Sequence, residues 1–173
     1  MQADSTGAGK SLRTIIAMRH GSYYESGLTK AGQDDVRSTA LKLRDKFNVT
    51  KILTTPVPRG VQTAQIVSDV FEGVNVEDVL KLGQHADFSD IMHLIRDLPD
   101  DVREVLFVTH EAQIIEMTIR LTGEEFEVPT AGGVKFSTDK NWSEIKPGTI
   151  KDVTTFDHTG VHDVPLSPDS AFL

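Results

Sequence analysis

Two histidines and two arginines stand where predicted strands end, and residues of these types can bind and attack a phosphoryl group. Arg19-His20-Gly21 follows directly on the apolar run Thr14-Ile15-Ile16-Ala17-Met18. An imidazole at the rim of a sheet can attack phosphorus while the adjacent guanidinium holds the phosphate oxygens. The glycine allows the backbone to turn there without a side-chain clash. Arg59 follows Lys51-Ile52-Leu53-Thr54-Thr55 across the short link Pro56-Val57-Pro58, and His110 closes the run Glu104-Val105-Leu106-Phe107-Val108-Thr109. An arginine after a strand is usually a surface cation, and a lone histidine is usually structural. Chance would rarely place two of each at the same kind of junction.

The elements that must position them can be read from periodicity. The three apolar runs are short and nearly unbroken, as strands covered on both faces are. Between them lie stripes with helical spacing: Val36, Ala40, Leu43 and Phe47; Val61, Ala64, Val67 and Phe71; Phe88, Ile91, Ile95 and Leu98; and Ala112, Ile115, Ile119 and Thr122. Pro58 suits a helix start, Pro99 ends the third stripe and Gly123 the fourth. Alternating strands and helices predict an α/β fold, a mostly parallel sheet flanked by helices on both faces, in a single domain. Residues 132–136 and 149–156 read as two later antiparallel strands around an Asn141-Trp142 turn. In such sheets ligands bind beyond the carboxyl ends of the strands. Arg19, His20, Arg59 and His110 would all meet at that edge.

Bulk properties narrow the classes. The chain has 173 residues, 38% hydrophobic and 25% charged, with a net charge of −8 and no cysteine. Such acidity argues against a nucleic-acid partner and requires a local positive pocket for any anionic ligand. No apolar run approaches the ~20 residues of a membrane helix. Without cysteine there are no disulfides, thiolate zinc sites or cysteine nucleophiles, which fits a reducing compartment. A cytoplasmic location without membrane contact is the expectation. Residues 1–13 are polar, lack a hydrophobic signal core and read as a disordered leader; within them Gly9-Lys10-Ser11 only superficially matches a nucleotide loop. Residues 14–156 form the expected domain, and 157–173 read as a surface tail.

Met18-Arg19-His20-Gly21, Leu28-Thr29-Lys30-Ala31-Gly32, Thr55-Pro56-Val57-Pro58-Arg59-Gly60-Val61-Gln62-Thr63-Ala64 and Val108-Thr109-His110 occur in this order. Together they resemble the histidine phosphatase superfamily, also called phosphoglycerate-mutase-like, over residues 14–156. The resemblance implies two-step phosphoryl transfer with no cofactor and no metal. His20 would be the nucleophile and form a phosphohistidine that water hydrolyses. Arg19 and Arg59 would grip the phosphate oxygens, and His110 would donate to charge spread over the equatorial oxygens. The helix after His110 could also direct free backbone N–H groups at the anion.

The departure lies at the general acid. Many members carry a Glu in a glycine-rich segment that here reads Lys81-Leu82-Gly83-Gln84-His85-Ala86-Asp87. Another branch places the acid just after the second histidine, where Glu111 stands. Either Glu111 is the donor or the leaving group needs little help; His85 and Asp87 are weaker candidates. The missing Glu and the small size are similar to the short phosphohistidine phosphatases, since expelling imidazole needs less acid assistance than expelling an alkoxide. A phosphoprotein substrate is favoured, with a small phosphorylated metabolite also open. The alternatives are a Ser/Thr protein phosphatase of the same superfamily, suggested by Ser22-Tyr23 and Asp157-His158-Thr159-Gly160, and a phosphate-binding scaffold without turnover. Tyr23 and Tyr24 are placed to line the entrance or to pack on the first helix.

Overall fold

Three apolar strands lie side by side at the centre of a seven-stranded sheet, and the register between them is what assembles the site. The structure, a computed structural model, describes residues 12–164. Its strands are β1 (Arg13–Arg19), β2 (Tyr23–Tyr24), β3 (Gly27–Leu28), β4 (Lys51–Thr54), β5 (Val76–Asp78), β6 (Glu104–Thr109), β7 (Gly133–Thr138), β8 (Ile150–Asp157) and β9 (Gly160–Val164). The helices are α1 (Lys30–Arg44), α2 (Pro58–Val70), α3 (Phe88–Arg96) and α4 (Glu111–Thr122). The large sheet has the order β5-β4-β6-β1-β7-β8-β9. β1, β4, β5 and β6 are parallel; β7 runs against β1, β8 against β7 and β9 against β8. β8 therefore shares the direction of β1, and the sheet is mostly parallel. β2 and β3 form a separate two-stranded ribbon.

Strand alternation divides the core into two layers. Ile15, Ala17, Leu53, Val105 and Phe107 pack with Ile91, Ile95, Ile114, Met117 and Leu121. Ile16, Met18, Ile52, Leu106 and Val108 pack with Val36, Ala40, Leu43, Ala64 and Val67. Thus α3 and α4 cover one face and α1 and α2 the other, which is why the central strands read as unbroken apolar runs. Each fully buried large aliphatic side chain contributes about 1.5–3 kcal/mol. Local signals fix the helix ends. Thr29 caps α1 by accepting the Gly32 N–H at 2.9 Å. Pro58 starts α2, and Gly123 ends α4 in the left-handed region at φ 77°. No helix among the described residues is long and apolar enough to cross a membrane.

Several expectations change. Arg13, read as leader, opens β1, and its Nη1 donates to the Lys140 carbonyl and to Asn141 Oδ1, both at 3.2 Å. Those acceptors lie more than 120 residues away, so local composition could not reveal them. Residues 1–11, including Gly9-Lys10-Ser11, lie outside the described residues. The buried stripe of α4 is Ile114, Met117 and Leu121, while Ile119 is exposed; both sets have helical spacing, and only contact with the sheet decides between them. Asp157 to Gly160, read as the start of a tail, is a tight turn. Thr159 N–H donates to Asp157 Oδ1 at 2.8 Å, and Ser38 Oγ holds the His158 carbonyl at 3.0 Å. The chain therefore returns as edge strand β9.

Candidate functional site

Register alone brings the histidines together. Arg19 pairs with Thr109 between β1 and β6, and Thr54 pairs with Val108 between β4 and β6. The next residues out, His20, His110 and Thr55, must then emerge side by side at the carboxyl edge. His20 N–H donates to the Thr109 carbonyl at 3.3 Å, and Thr55 N–H to the Val108 carbonyl at 2.8 Å. The rings of His20 and His110 lie 5.3 Å apart between centroids. A phosphoryl group can reach hydrogen-bonding distance of both at that separation.

His20 is held in one tautomer. Its Nδ1 lies 3.0 Å from the Gly21 carbonyl, which can only accept, so Nδ1 carries the proton. Arg59 Nε donates to His20 Nε2 at 3.2 Å. Two independent contacts thus leave the lone pair on Nε2. Arg59 occupies the first turn of α2, delivered there by the Pro56-Val57-Pro58 link. Gly21 N–H donates to Thr63 Oγ1 at 3.0 Å, and that hydroxyl donates to the Arg59 carbonyl at 2.8 Å. One threonine thereby ties the backbone after the first histidine to the backbone of the arginine.

Gly21 also serves a close approach to α1. A Cβ there would stand 2.7 Å from Val36 Cγ2 and 3.0 Å from the Gly32 carbonyl.

Arg19 is anchored by donating from Nη1 to the Val128 carbonyl at 2.8 Å, with Glu111 Oε2 at 3.5 Å. Its Nε is buried and has no protein partner. His110 shares a hydrogen bond between Nε2 and Thr55 Oγ1 at 3.0 Å. It also occupies the N-cap position of α4, where it makes no side-chain capping hydrogen bond.

Burial and the pocket's positive charge act on both rings, and His20 acts in addition on His110. Burial holds His20 below the ordinary histidine value, the Gly21 carbonyl opposes this, and Arg59 and Arg19 add to it. Burial first, then His20, Arg59 and Arg19, bring His110 down to about 4. Both imidazoles are therefore neutral near pH 7.

The remaining candidates divide. Glu111 stands at the rim against Arg19, with its side chain about half exposed. Asp87 is not free: its carboxylate accepts the Asp90 N–H at 2.9 Å, and Asp90 returns the contact to the Asp87 N–H at 3.1 Å. This capping box makes Asp87 a helix-start residue of α3. His85 lines a cavity of about 320 Å³ with Pro56, Val57, Leu80, Gly83 and Asp90. A second cavity of about 390 Å³, between Arg96, Lys140, Glu144 and Lys146, contains none of the cluster. Among the described residues no three His, Asp or Glu side chains form a metal-binding group. Thr55 and Thr63 were not singled out from the sequence, although both stand inside the Thr55–Ala64 motif. The Val128 carbonyl carries no sequence signal at all.

No family model and no curated protein matches the chain. Solved structures do match. One is SixA from Nakamurella multipartitia, with 19% identity over 83% of this chain and 95% of that one, TM-score 0.70. A second is the protein histidine phosphatase SixA complexed with tungstate, 23% identical over 84% and 97%, TM-score 0.68. A third is a mycobacterial glucosyl-3-phosphoglycerate phosphatase, 14% identical over 79% and 96%, TM-score 0.62. At such identities the likeness is one of fold. The chain has a phosphoglycerate-mutase-like fold.

Proposed function

We propose that this chain is a phosphatase that works through a covalent phosphohistidine on His20. The observation that carries this reading is the His20 ring itself. Nδ1–H is fixed on the Gly21 carbonyl and the Nε2 lone pair faces Arg59, with His110 5.3 Å away. In the first step Nε2 attacks phosphorus, a P–N bond forms, and the bond to the leaving group breaks with its electron pair. In the second step water attacks phosphorus, the P–N bond breaks and inorganic phosphate departs. Arg59 and the unpartnered Nε of Arg19 supply charged donors to the phosphoryl oxygens, and His110 with the uncapped start of α4 supplies more. Donors fixed before the reaction stabilise the charge as it develops.

The substrate class follows from the poverty of acids. Asp87 and Asp90 are occupied in their capping box, and Glu111 faces Arg19. A leaving group that departs with little proton assistance suits such a site, and phosphohistidine on a protein fits better than a phosphoserine ester. The fold likeness to structures described as phosphohistidine phosphatases supports the same choice. Turnover of a phosphohistidine protein, a phosphoserine peptide and an aryl phosphate would be compared. The expected order is phosphohistidine first and phosphoserine last, with His20→Ala inactive on all three. Preference for phosphoserine would instead favour a Ser/Thr protein phosphatase.

A further inference from the structure

Arg59 has an unusual set of neighbours for a buried-edge cation. Among the described residues no carboxylate pairs with it. Its Cζ lies 4.3 Å from the centroid of the Tyr23 ring, and its Nε donates to His20 Nε2 at 3.2 Å. The Tyr23 ring in turn meets the His20 ring edge-on, with centroids 5.4 Å apart at 76°. Tyr23 is 44% exposed, so it sits at the mouth of the site rather than in the core.

We propose that Tyr23 is a positioning residue that holds the Arg59 guanidinium by its face, between the His20 lone pair and the incoming phosphoryl oxygens. This deepens the phosphoryl-transfer reading of the cluster and rests on it.

A ring face and a carboxylate hold a guanidinium in different ways. A carboxylate would occupy two N–H groups of the guanidinium and would have to be displaced by substrate. An aromatic face attracts the cation through its quadrupole and leaves the N–H edge available. The arginine also has to move. While Nε–H is bonded to His20 Nε2, the nucleophilic lone pair is occupied. A phosphoryl oxygen offers the guanidinium a charged acceptor, so Arg59 can shift along the ring and release Nε2 as substrate arrives. The ribbon carrying Tyr23 is fixed relative to α2 as this requires. Tyr23 pairs with Leu28, whose N–H donates to Gln62 Oε1 at 2.7 Å, one helical turn beyond Arg59.

The test compares Tyr23→Leu, Tyr23→Gln and Tyr23→Phe in the full chain, alone and combined with Arg59→Ala. Two readouts need no turnover: the affinity for vanadate, and the titration of the His20 ring by nitrogen NMR, assigned by its loss in His20→Gln. Tyr23→Leu and Tyr23→Gln should weaken vanadate binding about two- to fivefold. They should also raise the His20 pKa, because a nearby cation no longer opposes protonation. Tyr23→Phe, which keeps the ring face, should restore both values, and in the Arg59→Ala background the Leu change should add nothing. Undiminished vanadate binding with an unchanged His20 titration overturns the proposal, as does a Leu effect that persists without Arg59. Coupling in a protein that never forms phosphohistidine would sink the catalytic reading alone. A phosphoenzyme without coupling would sink the Tyr23 role alone.

Discussion

Glu111 is the residue whose role most changes the chemistry. It stands directly after His110 at the start of α4, with Oε2 3.5 Å from Arg19 Nη1. Two functions are open to a carboxylate there: orienting the arginine, or protonating a departing oxygen. They separate by substrate, because only the second depends on how poor the leaving group is. If Glu111 is the proton donor, Glu111→Gln should slow a phosphoserine peptide by about 10²-fold or more, while turnover of phosphohistidine changes little. Steady-state kcat on the two substrates decides this. Equal losses on both would assign the carboxylate to Arg19 instead.

Among the elements, the approach of α1 to the loop after β1 sets the position of the nucleophile. Thr29 caps the helix, and Gly32 in its first turn lies against the Ser22 backbone. A Cβ on Gly32 would stand 2.1 Å from the Ser22 carbonyl oxygen, a clash with main chain that no side-chain rotation relieves. Gly32→Ala should therefore lower unfolding stability by about 1–3 kcal/mol, read as a shift in the urea midpoint. Stability equal to wild type would show that helix and loop can separate cheaply. The same region shows what a sequence can and cannot disclose. The runs ending at Met18, Thr55 and Thr109 announced β1, β4 and β6 because strands buried on both faces leave few polar residues. Their junctions with Arg19, His20, Arg59 and His110 followed directly. β2 and β3 have two residues each and β5 three, too few for any period to register. The α4 stripe was misplaced because Ile115 and Ile119 compete with Ile114 and Leu121 at equivalent spacing. Tyr23 over Arg59 is a contact across 36 positions between a short ribbon and a helix, and no local pattern encodes it.

For the whole molecule, the site is a positive enclave in an acidic chain of net charge −8. Keeping two neutral imidazoles beside two arginines has a consequence for stability. The folded state holds His110 at about 4 and His20 below its ordinary value, whereas the unfolded chain titrates histidine near 6.5. Between those limits the unfolded state binds more protons, so acidification favours unfolding. The contribution is fully present above about pH 6.5 and is lost progressively as pH falls through about 4. Thermal unfolding across this window should show the Tm of the wild type falling more steeply than that of His110→Gln. Parallel curves would mean that His110 titrates alike in both states. Bound phosphate should oppose the decline, because an anion stabilises the protonated rings and binds only the folded chain.

Phosphoryl transfer to the Nε2 of His20 underlies every role assigned to the site. Rapid acid-free quenching during turnover, followed by intact-mass and fragment analysis, measures it most directly. One phosphoryl group per chain is expected, located on His20, stable in base, lost in acid and absent from His20→Ala. Turnover that proceeds at wild-type rate in His20→Ala, or a phosphoryl group carried on any other residue, would contradict it.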